Sequence, residues 1–225
     1  MTGVQLKAHA LDAAVQEAIR ERILEGDLRP GDPLVEAQLS AEFGISKTPV
    51  REALIALGRE GLVDQVPYHV TRVATPASED IAHACELRGW LEGEIAAAAA
   101  VASDSELQAA LRKTIRDARG ALKADDVHSY TAAVEAFSDT LLERTGNQFA
   151  MDLLQRLRNI LALTASVAQR TAGRRRRSID EHAKILKAIV DGDPEAARAA
   201  TRAHMLSIET DALEALAGHA NGSKH

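Results

Sequence analysis

Several residues able to contact an anion or a base edge stand together just after residue 45. They are Ser46, Lys47, Thr48 and Arg51, with Pro49 among them. Proline is favoured in the first turn of a helix, where its missing N–H is not needed. A helix beginning here carries hydroxyl groups, free backbone N–H groups and two cations at its N-terminal end. Such an end attracts phosphate, and an arginine on it can read guanine through two hydrogen bonds.

The elements around this segment predict a helix-turn-helix with a hairpin. A first helix is expected over 9–25, because apolar residues recur every four positions. A second helix is expected over 36–43, ended by Gly44, and the third runs from Ser46 or Thr48 to about Gly61. Two β-rich stretches, 62–66 and 70–73, then flank a turn and predict a small hairpin. The apolar positions of the first helix are Leu11, Val15, Ile19 and Ile23.

The segment from Ile45 to Leu54 resembles the recognition-helix signature of the GntR family of regulators. Residues 28–34 and 60–63 extend the resemblance. It implies a winged helix-turn-helix DNA-binding domain over 1–75 whose third helix enters the major groove of double-stranded operator DNA. Relatives usually place a basic residue and a glycine at the wing tip, where this chain has His69 and Val70. The DNA-contacting residues implied are Ser46, Lys47, Thr48, Pro49, Arg51 and His69.

Each of these contacts has a structural alternative. Ser46 and Thr48 are also good helix caps, and one hydroxyl can cap a helix and touch a phosphate. Arg51 is otherwise a solvated surface arginine, and His69 an exposed loop histidine. The chain has 27 Lys and Arg against 33 Asp and Glu, so any cationic surface must be local.

Beyond a linker at 74–78, the signals are helical throughout. Ser103 to Glu106 reads as a capping box, and Asp193 with Pro194 as another helix start. We therefore predict a mainly α protein, a winged helix-turn-helix with a small β-hairpin wing plus a C-terminal all-α bundle of about six helices. The six expected helices are 78–102, 104–122, 125–145, 147–171, 176–191 and 194–217.

Residues 78–217 resemble the FCD effector domain of the FadR subfamily. The resemblance implies an effector-binding and dimerisation domain over 76–220. Members of that family usually hold a divalent metal, often zinc or nickel, through one Asp and three His. Here His182 and His204 stand at two ligand positions, but Val134 and Ser138 occupy the others and are poor ligands. The segments that carry the resemblance are 86–92, 137–147, 181–189 and 193–204.

We expect weak metal binding or none from this set. Glu135 or a bound carboxylate would complete a site in one alternative; in the other, the two histidines form a hydrogen-bonded interior pair. Arg88 occupies a position that the family often uses inside its cavity. A guanidinium in a mostly apolar pocket needs an anion as its partner, so we expect an organic acid effector. The alternative is an internal salt bridge to Glu92. The effector-binding set is then Arg88, Ser138, His182 and His204.

Other features narrow the function. The single Cys85 excludes an intramolecular disulfide and fits a reducing cytoplasm. The alanine run 96–102 is too short to span a membrane. Arg174 to Arg177 reads as a solvated turn, with a nucleic-acid patch as the alternative. No nucleophile–base pair or HExxH spacing supports an enzyme.

We therefore expect a ligand-responsive regulator, with repression the favoured outcome, that binds a palindromic operator as a homodimer. The alternative is a DNA-binding dimer whose helical domain has lost metal and effector sensing.

Overall fold

The computed structural model describes residues 2–65, 70–168 and 172–222, and the side chains of 11–65, 70–164 and 173–216. The mainly α fold predicted from the sequence is confirmed. The chain divides into two compact units. The first comprises Met1–Ala77 with Arg158–Ser166, and the second comprises Ser78–Leu157 with Val167–His225.

The first unit contains three helices and one small sheet. The helices are α1 (Thr2–Glu25), α2 (Glu36–Phe43) and α3 (Lys47–Arg59). The strands β1 (Val63–Asp64) and β2 (Arg72–Val73) are antiparallel, with Val63 opposite Val73. The described strands are shorter than the sequence predicted, and the predicted hairpin tip, residues 66–69, lies outside the described residues.

The core of this unit follows the predicted helical stripes. On α1, Val15, Ile19 and Ile23 are buried, whereas Leu11 is 41% exposed and does not belong to the core. Leu163, from the helix that follows residue 147, joins the same core. The side-chain amide of Asn159 donates a hydrogen bond to the Glu60 carbonyl at 3.2 Å. The α2 and α3 residues of this core are Leu39, Val50, Ala53, Leu54 and Leu57.

The six helices predicted after the linker are all present. They are α4 (Ser78–Ala102), α5 (Ser105–Ala124), α6 (Val127–Glu143), α7 (Gln148–Ala168), α8 (Ala172–Asp191) and α9 (Pro194–Gly222). The core of the second unit joins α4, α5, α6, α8 and α9 through Leu111, Phe137, Ile189 and their neighbours. Within the described ranges, none of the helices has the length and apolar content that a bilayer crossing requires.

The start of α5 differs from the predicted capping box. Asp104, not Ser103, is the N-cap, and its carboxylate accepts hydrogen bonds from the N–H groups of Glu106 and Leu107 at 2.9 and 3.1 Å. Ser103 has φ +49° and ends the preceding helix. A carboxylate at this position also meets the positive end of the helix dipole, which favours it over a neutral hydroxyl.

The arginine run was predicted wrongly as a solvated turn. Helix α8 begins at Ala172, so Arg174 to Arg177 lie in its first turns. Arg174 is 9% and Arg175 3% exposed. Arg174 pairs with Glu181 and Asp211, and Arg175 donates to Asp125 at 2.6 Å. Arginine is a good helix former, and these carboxylates, supplied by other turns of the bundle, compensate its buried charge.

Candidate DNA-binding surface and polar cluster

The N-terminal end of α3 is built by the turn that precedes it. Gly44 has φ +67°, a left-handed conformation that glycine adopts without strain, and its N–H bonds the Ser40 carbonyl. Ser46 then takes the N-cap position with extended backbone, but its hydroxyl makes no capping hydrogen bond. Ser46 is thus the N-cap residue, one of the two helix starts that the sequence allowed, although its side chain does not supply the capping bond. Ser46, Lys47 and Thr48 are all exposed.

Pro49 was predicted to contact DNA, but its side chain is buried beside Val50. At this position in the first turn the ring supports helical backbone and faces the core. Four residues of the predicted set are exposed at the start of α3: the N-cap residue Ser46, then Lys47, Thr48 and Arg51. His69 lies outside the described residues.

Arg51 is held by a partner that sequence reasoning missed. Its Nε and Nη2 donate to the two carboxylate oxygens of Glu36, each at 2.9 Å. The Arg51 side chain is 62% exposed, so this fork lies at the surface. The hydrogen bond from Arg51 lowers the pKa of Glu36, and the carboxylate raises the pKa of Arg51. No local rule links residues 15 apart in sequence; only the packing of α2 on α3 brings them together.

In the second unit, the two predicted ligand histidines come together. The ring centroids of His182 on α8 and His204 on α9 are 4.5 Å apart, and the Phe137 ring lies tilted against His182 with its centroid 4.6 Å away. His204 Nδ1 lies 2.7 Å from Glu181 Oε2. Both histidines are almost completely buried. Glu181 was not among the predicted site residues, although it immediately precedes His182 in the sequence.

The surroundings of His182 and Glu181 shift the pKa values of both side chains. Burial drives the pKa of His182 well below its usual value, and the charges of His204, Arg174 and Arg88 act in the same direction. Burial by itself would raise the pKa of Glu181, but hydrogen bonds from His204 and Ser207 outweigh it and lower that pKa. Burial therefore favours the neutral form of the His182 ring.

Arg88 forms the internal salt bridge that the sequence left as an alternative. Its Nε and Nη2 donate to Glu92 Oε1 at 2.9 and 2.7 Å, one helical turn along α4. Only 10% and 11% of the two side chains is exposed. Ser138 Oγ donates to the other Glu92 oxygen at 3.4 Å. We call Arg88, Glu92, Ser138, Glu181, His182 and His204 the polar cluster.

The polar cluster does not fit a divalent metal. In the described part of the chain, no three His, Cys, Asp or Glu side chains are placed to hold one. Val134 lines the cavity beside His182, where it offers no donor atom, and Glu135 is exposed. That cavity has a volume of about 10 Å³, no more than the room of one water.

Comparisons with known proteins identify a family for each of the two domains. Residues 11–73 match the model of the gntR family of bacterial regulatory proteins, and residues 83–207 match the FCD domain. The chain is 31% identical over 211 residues to an uncharacterized HTH-type transcriptional regulator in an unstable DNA locus of Streptomyces ambofaciens. That alignment covers 89% of this chain and 84% of the relative.

Two further proteins show the same likeness. The chain is 28% identical to a probable D-xylose utilization operon transcriptional repressor of Paenarthrobacter nicotinovorans, over 98% of this chain and 95% of the relative. The solved structure of McbR/YncC from E. coli superposes with a TM-score of 0.74 at 20% identity, covering 87% of this chain and 93% of that one. At that identity the structural match establishes the fold.

Proposed function

The chain belongs to the GntR family of bacterial transcriptional regulators, with an FCD domain, and we propose that it is a repressor that binds a palindromic operator as a homodimer and responds to an organic acid. The observation that carries the DNA-binding part is the exposed end of α3, where Lys47, Arg51 and two free hydroxyl groups stand together. The name of the D-xylose operon relative supports repression.

The exposed residues divide the work of recognition. Arg51 reads a guanine through its two-pronged guanidinium. Lys47 and the hydroxyls of Ser46 and Thr48 hold the phosphate backbone, together with the backbone N–H groups of the first turn. Glu36 positions Arg51, because its carboxylate fixes one plane for the guanidinium before DNA arrives. Pre-ordering a long side chain reduces the entropy lost on binding.

Two copies are needed for useful specificity. One recognition helix reads only a few base pairs, and a dimer places two of them about 34 Å apart on successive turns of the duplex. Sequencing the DNA fragments that co-purify with the protein tests this directly. Enrichment of an inverted repeat with half-sites about one helical turn apart is the expected result. Recovery of bulk DNA without a preferred sequence would contradict it.

The organic acid is proposed to bind in the polar cluster by taking the place of the Glu92 carboxylate on Arg88. Ser138 already donates toward that carboxylate, and His182 and His204 lie on the helices that close the site. Because Glu92 already pairs with Arg88 and both side chains are buried, binding requires the cluster to open. An acid that prefers the open form shifts the protein toward it, and by linkage operator DNA changes the affinity for the acid equally.

A thermal-shift screen of organic acids against three forms of the protein tests the effector. Glu92→Gln removes the competing charge and leaves Arg88 in place, so a true effector should bind this variant more tightly than the wild type. Arg88→Met keeps most of the side-chain volume but removes the cation, so the same acid should no longer stabilise it. Equal stabilisation of Arg88→Met and wild type would contradict the assignment.

A second candidate function is a DNA-binding dimer whose helical domain senses nothing. The observation in its favour is that Arg88 is already neutralised by Glu92, with both side chains almost fully buried. Failure of every acid to stabilise either the wild type or Glu92→Gln would favour this candidate.

A further inference from the structure

Arg175 on α8 carries a buried positive charge that the described part of the chain neutralises only in part. Its side chain is 4% exposed, and Nη2 donates to Asp125 Oδ1 at 2.6 Å. The Asp125 side chain is 82% exposed, so Arg175 shares that carboxylate with water. Nε and Nη1 are buried and have no hydrogen-bond partner among the described residues. A buried guanidinium with N–H groups that no acceptor satisfies is unfavourable by itself and is suited to bind an anion.

The helix ends around Arg175 add to the positive potential. Helices α6 and α8 begin at the same end of the second unit, because the hydroxyl of Tyr130, near the start of α6, donates to the Arg175 carbonyl at 3.3 Å. The N-terminal end of a helix carries partial positive charge and N–H groups without intrahelical partners. Neither helix has an acidic residue in its first turn. Two helix starts and a buried guanidinium therefore meet at one place.

The neighbouring arginines keep this end of α8 positive. Arg174 and Arg177 share one carboxylate, that of Asp211. Glu181, the other partner of Arg174, is also bonded to His204. Carboxylates that are shared in this way leave the arginines incompletely neutralised. An anion bound at Arg175 therefore also reduces the repulsion among the cations of the run.

Asp125 is the group that an incoming anion replaces. It ends α5 with φ +54°, and its N–H bonds the carbonyls of Ala121 and Leu122, so the helix end fixes the position of its backbone. From that position its carboxylate bonds Nη2 of Arg175 alone. An oxyanion that is not tied to the chain can bridge two nitrogens of a guanidinium, which is the stronger geometry. Because Asp125 is mostly hydrated, releasing it from Arg175 costs little.

We propose that the start of α8 binds a phosphate group on Arg175, in place of the Asp125 carboxylate. A tetrahedral dianion suits a guanidinium beside helix N-terminal N–H groups, because it offers acceptors to both. The group is either free inorganic phosphate or part of a phosphorylated metabolite. The site is distinct from the polar cluster, since His182 follows Arg175 by two turns of α8, about 10 Å. It does not depend on the organic acid proposed there.

Isothermal titration calorimetry of the full-length protein with inorganic phosphate, at constant ionic strength, tests the proposal. We expect the wild type to bind one phosphate per chain. Asp125→Asn removes the competing carboxylate and leaves Arg175 in place, so it should bind phosphate about five- to tenfold more tightly. Arg175→Met removes the cation and should bind at least about tenfold more weakly. Arg176→Met removes the same charge from the exposed neighbour and should stay within about twofold of the wild type.

The unfolding midpoints of the same variants give an independent measurement. Arg175→Met leaves Asp125 in water and removes the buried N–H groups that lack acceptors. In phosphate-free buffer its thermal midpoint should therefore equal or exceed that of the wild type. A lower midpoint would mean that the fold already satisfies the guanidinium, which would contradict the proposal. Phosphate should raise the midpoints of the wild type and of Asp125→Asn but not that of Arg175→Met.

The remaining outcomes are equally decisive. Glucose 6-phosphate that binds as tightly as inorganic phosphate supports a site for the phosphate group of a larger molecule, whereas binding of inorganic phosphate alone supports a site for the free ion. Failure of both the wild type and Asp125→Asn to bind either compound would overturn the proposal, and so would equal binding by Arg175→Met. Binding of acetate without binding of phosphate would overturn the assignment to phosphate.

Discussion

Each of the two units contains one arginine that the sequence marked as a ligand contact, and each arginine is paired with a glutamate. On α3, Arg51 is forked to Glu36 with 62% of its side chain exposed; on α4, Arg88 is bonded to Glu92 with 10% exposed. The donor atoms and the hydrogen-bond lengths are nearly the same. The two pairs differ in how far each is removed from water.

The difference in exposure indicates which arginine is available to bind a ligand and which one stabilises the fold. An exposed pair gains little, because water and salt compete for both charges, and the exposed guanidinium stays accessible to a base edge while Glu36 holds it. A buried pair has given up its hydration, and breaking it leaves one charge without compensation. Arg51 is therefore ready for an outside ligand, whereas Arg88 accepts one only if the ligand replaces Glu92.

The largest expected effect comes from breaking the buried pair. Arg88→Ala should lower the free energy of unfolding by about 3–5 kcal/mol, because the Glu92 carboxylate stays buried without its cation. Urea denaturation followed by circular dichroism measures it. Replacing both partners, Arg88→Met with Glu92→Leu, removes the stranded charge and should restore most of the loss. An Arg88→Ala protein as stable as the wild type would contradict the structural role of this pair.

The second effect is a loss of stability in acid centred on His182. Because burial lowers the pKa of His182 in the folded protein, the unfolded chain binds more protons once the pH falls below about 6.5. The contribution of neutral His182 to the free energy of unfolding is therefore fully present above that pH. As the pH falls toward the lower pKa of the folded protein, the free energy of unfolding decreases by up to about 1.4 kcal/mol per pH unit. Hydrogen bonds from His204 and Ser207 lower the pKa of Glu181, so its titration lies at more acidic pH.

Denaturation midpoints measured between about pH 7 and about pH 5 test this dependence. His182→Leu should flatten the slope, whereas His128→Gln, at an exposed position, should leave it unchanged. An unaltered slope in His182→Leu would assign the acid sensitivity to another group.

A smaller effect is expected at the exposed pair. Glu36→Gln should leave the unfolding free energy almost unchanged but weaken base discrimination about two- to tenfold, because Arg51 loses its pre-ordering. Glu42→Gln is the matched control, since Glu42 also pairs with an arginine at the surface, Arg22 on α1. Binding to an operator and to a scrambled duplex should distinguish them. Equal base discrimination by Glu36→Gln and the wild type would mean that the Arg51–Glu36 pair is only a surface salt bridge without a role in recognition.

The sequence was most informative where the signal is local. The stripe through Val15, Ile19 and Ile23, the left-handed Gly44 and the Asp193–Pro194 helix start all lie within a few residues of what they determine. The same locality made the helix-turn-helix predictable.

The ion pairs that could not be predicted from the sequence join residues that come into contact only after folding. Arg51 and its partner Glu36 are 15 residues apart in the sequence, and Arg175 and its partner Asp125 are 50 residues apart. The arginine run was predicted as solvated because charge runs usually are, and its carboxylate partners lie on other turns and helices. Pro49 was assigned to the DNA surface with its neighbours, although the helical turn directs it to the core.

The most direct test of the account compares Arg51→Ala with Lys47→Ala on the operator fragment and on a scrambled duplex over a range of salt. Arg51→Ala should reduce the ratio of the two affinities by about ten- to a hundredfold, because one guanine is no longer read. Lys47→Ala should weaken both complexes alike and lower the salt slope by about one, as expected for a phosphate contact. If Arg51→Ala kept the full ratio, α3 would not be reading the sequence through Arg51, and the central claim would be wrong.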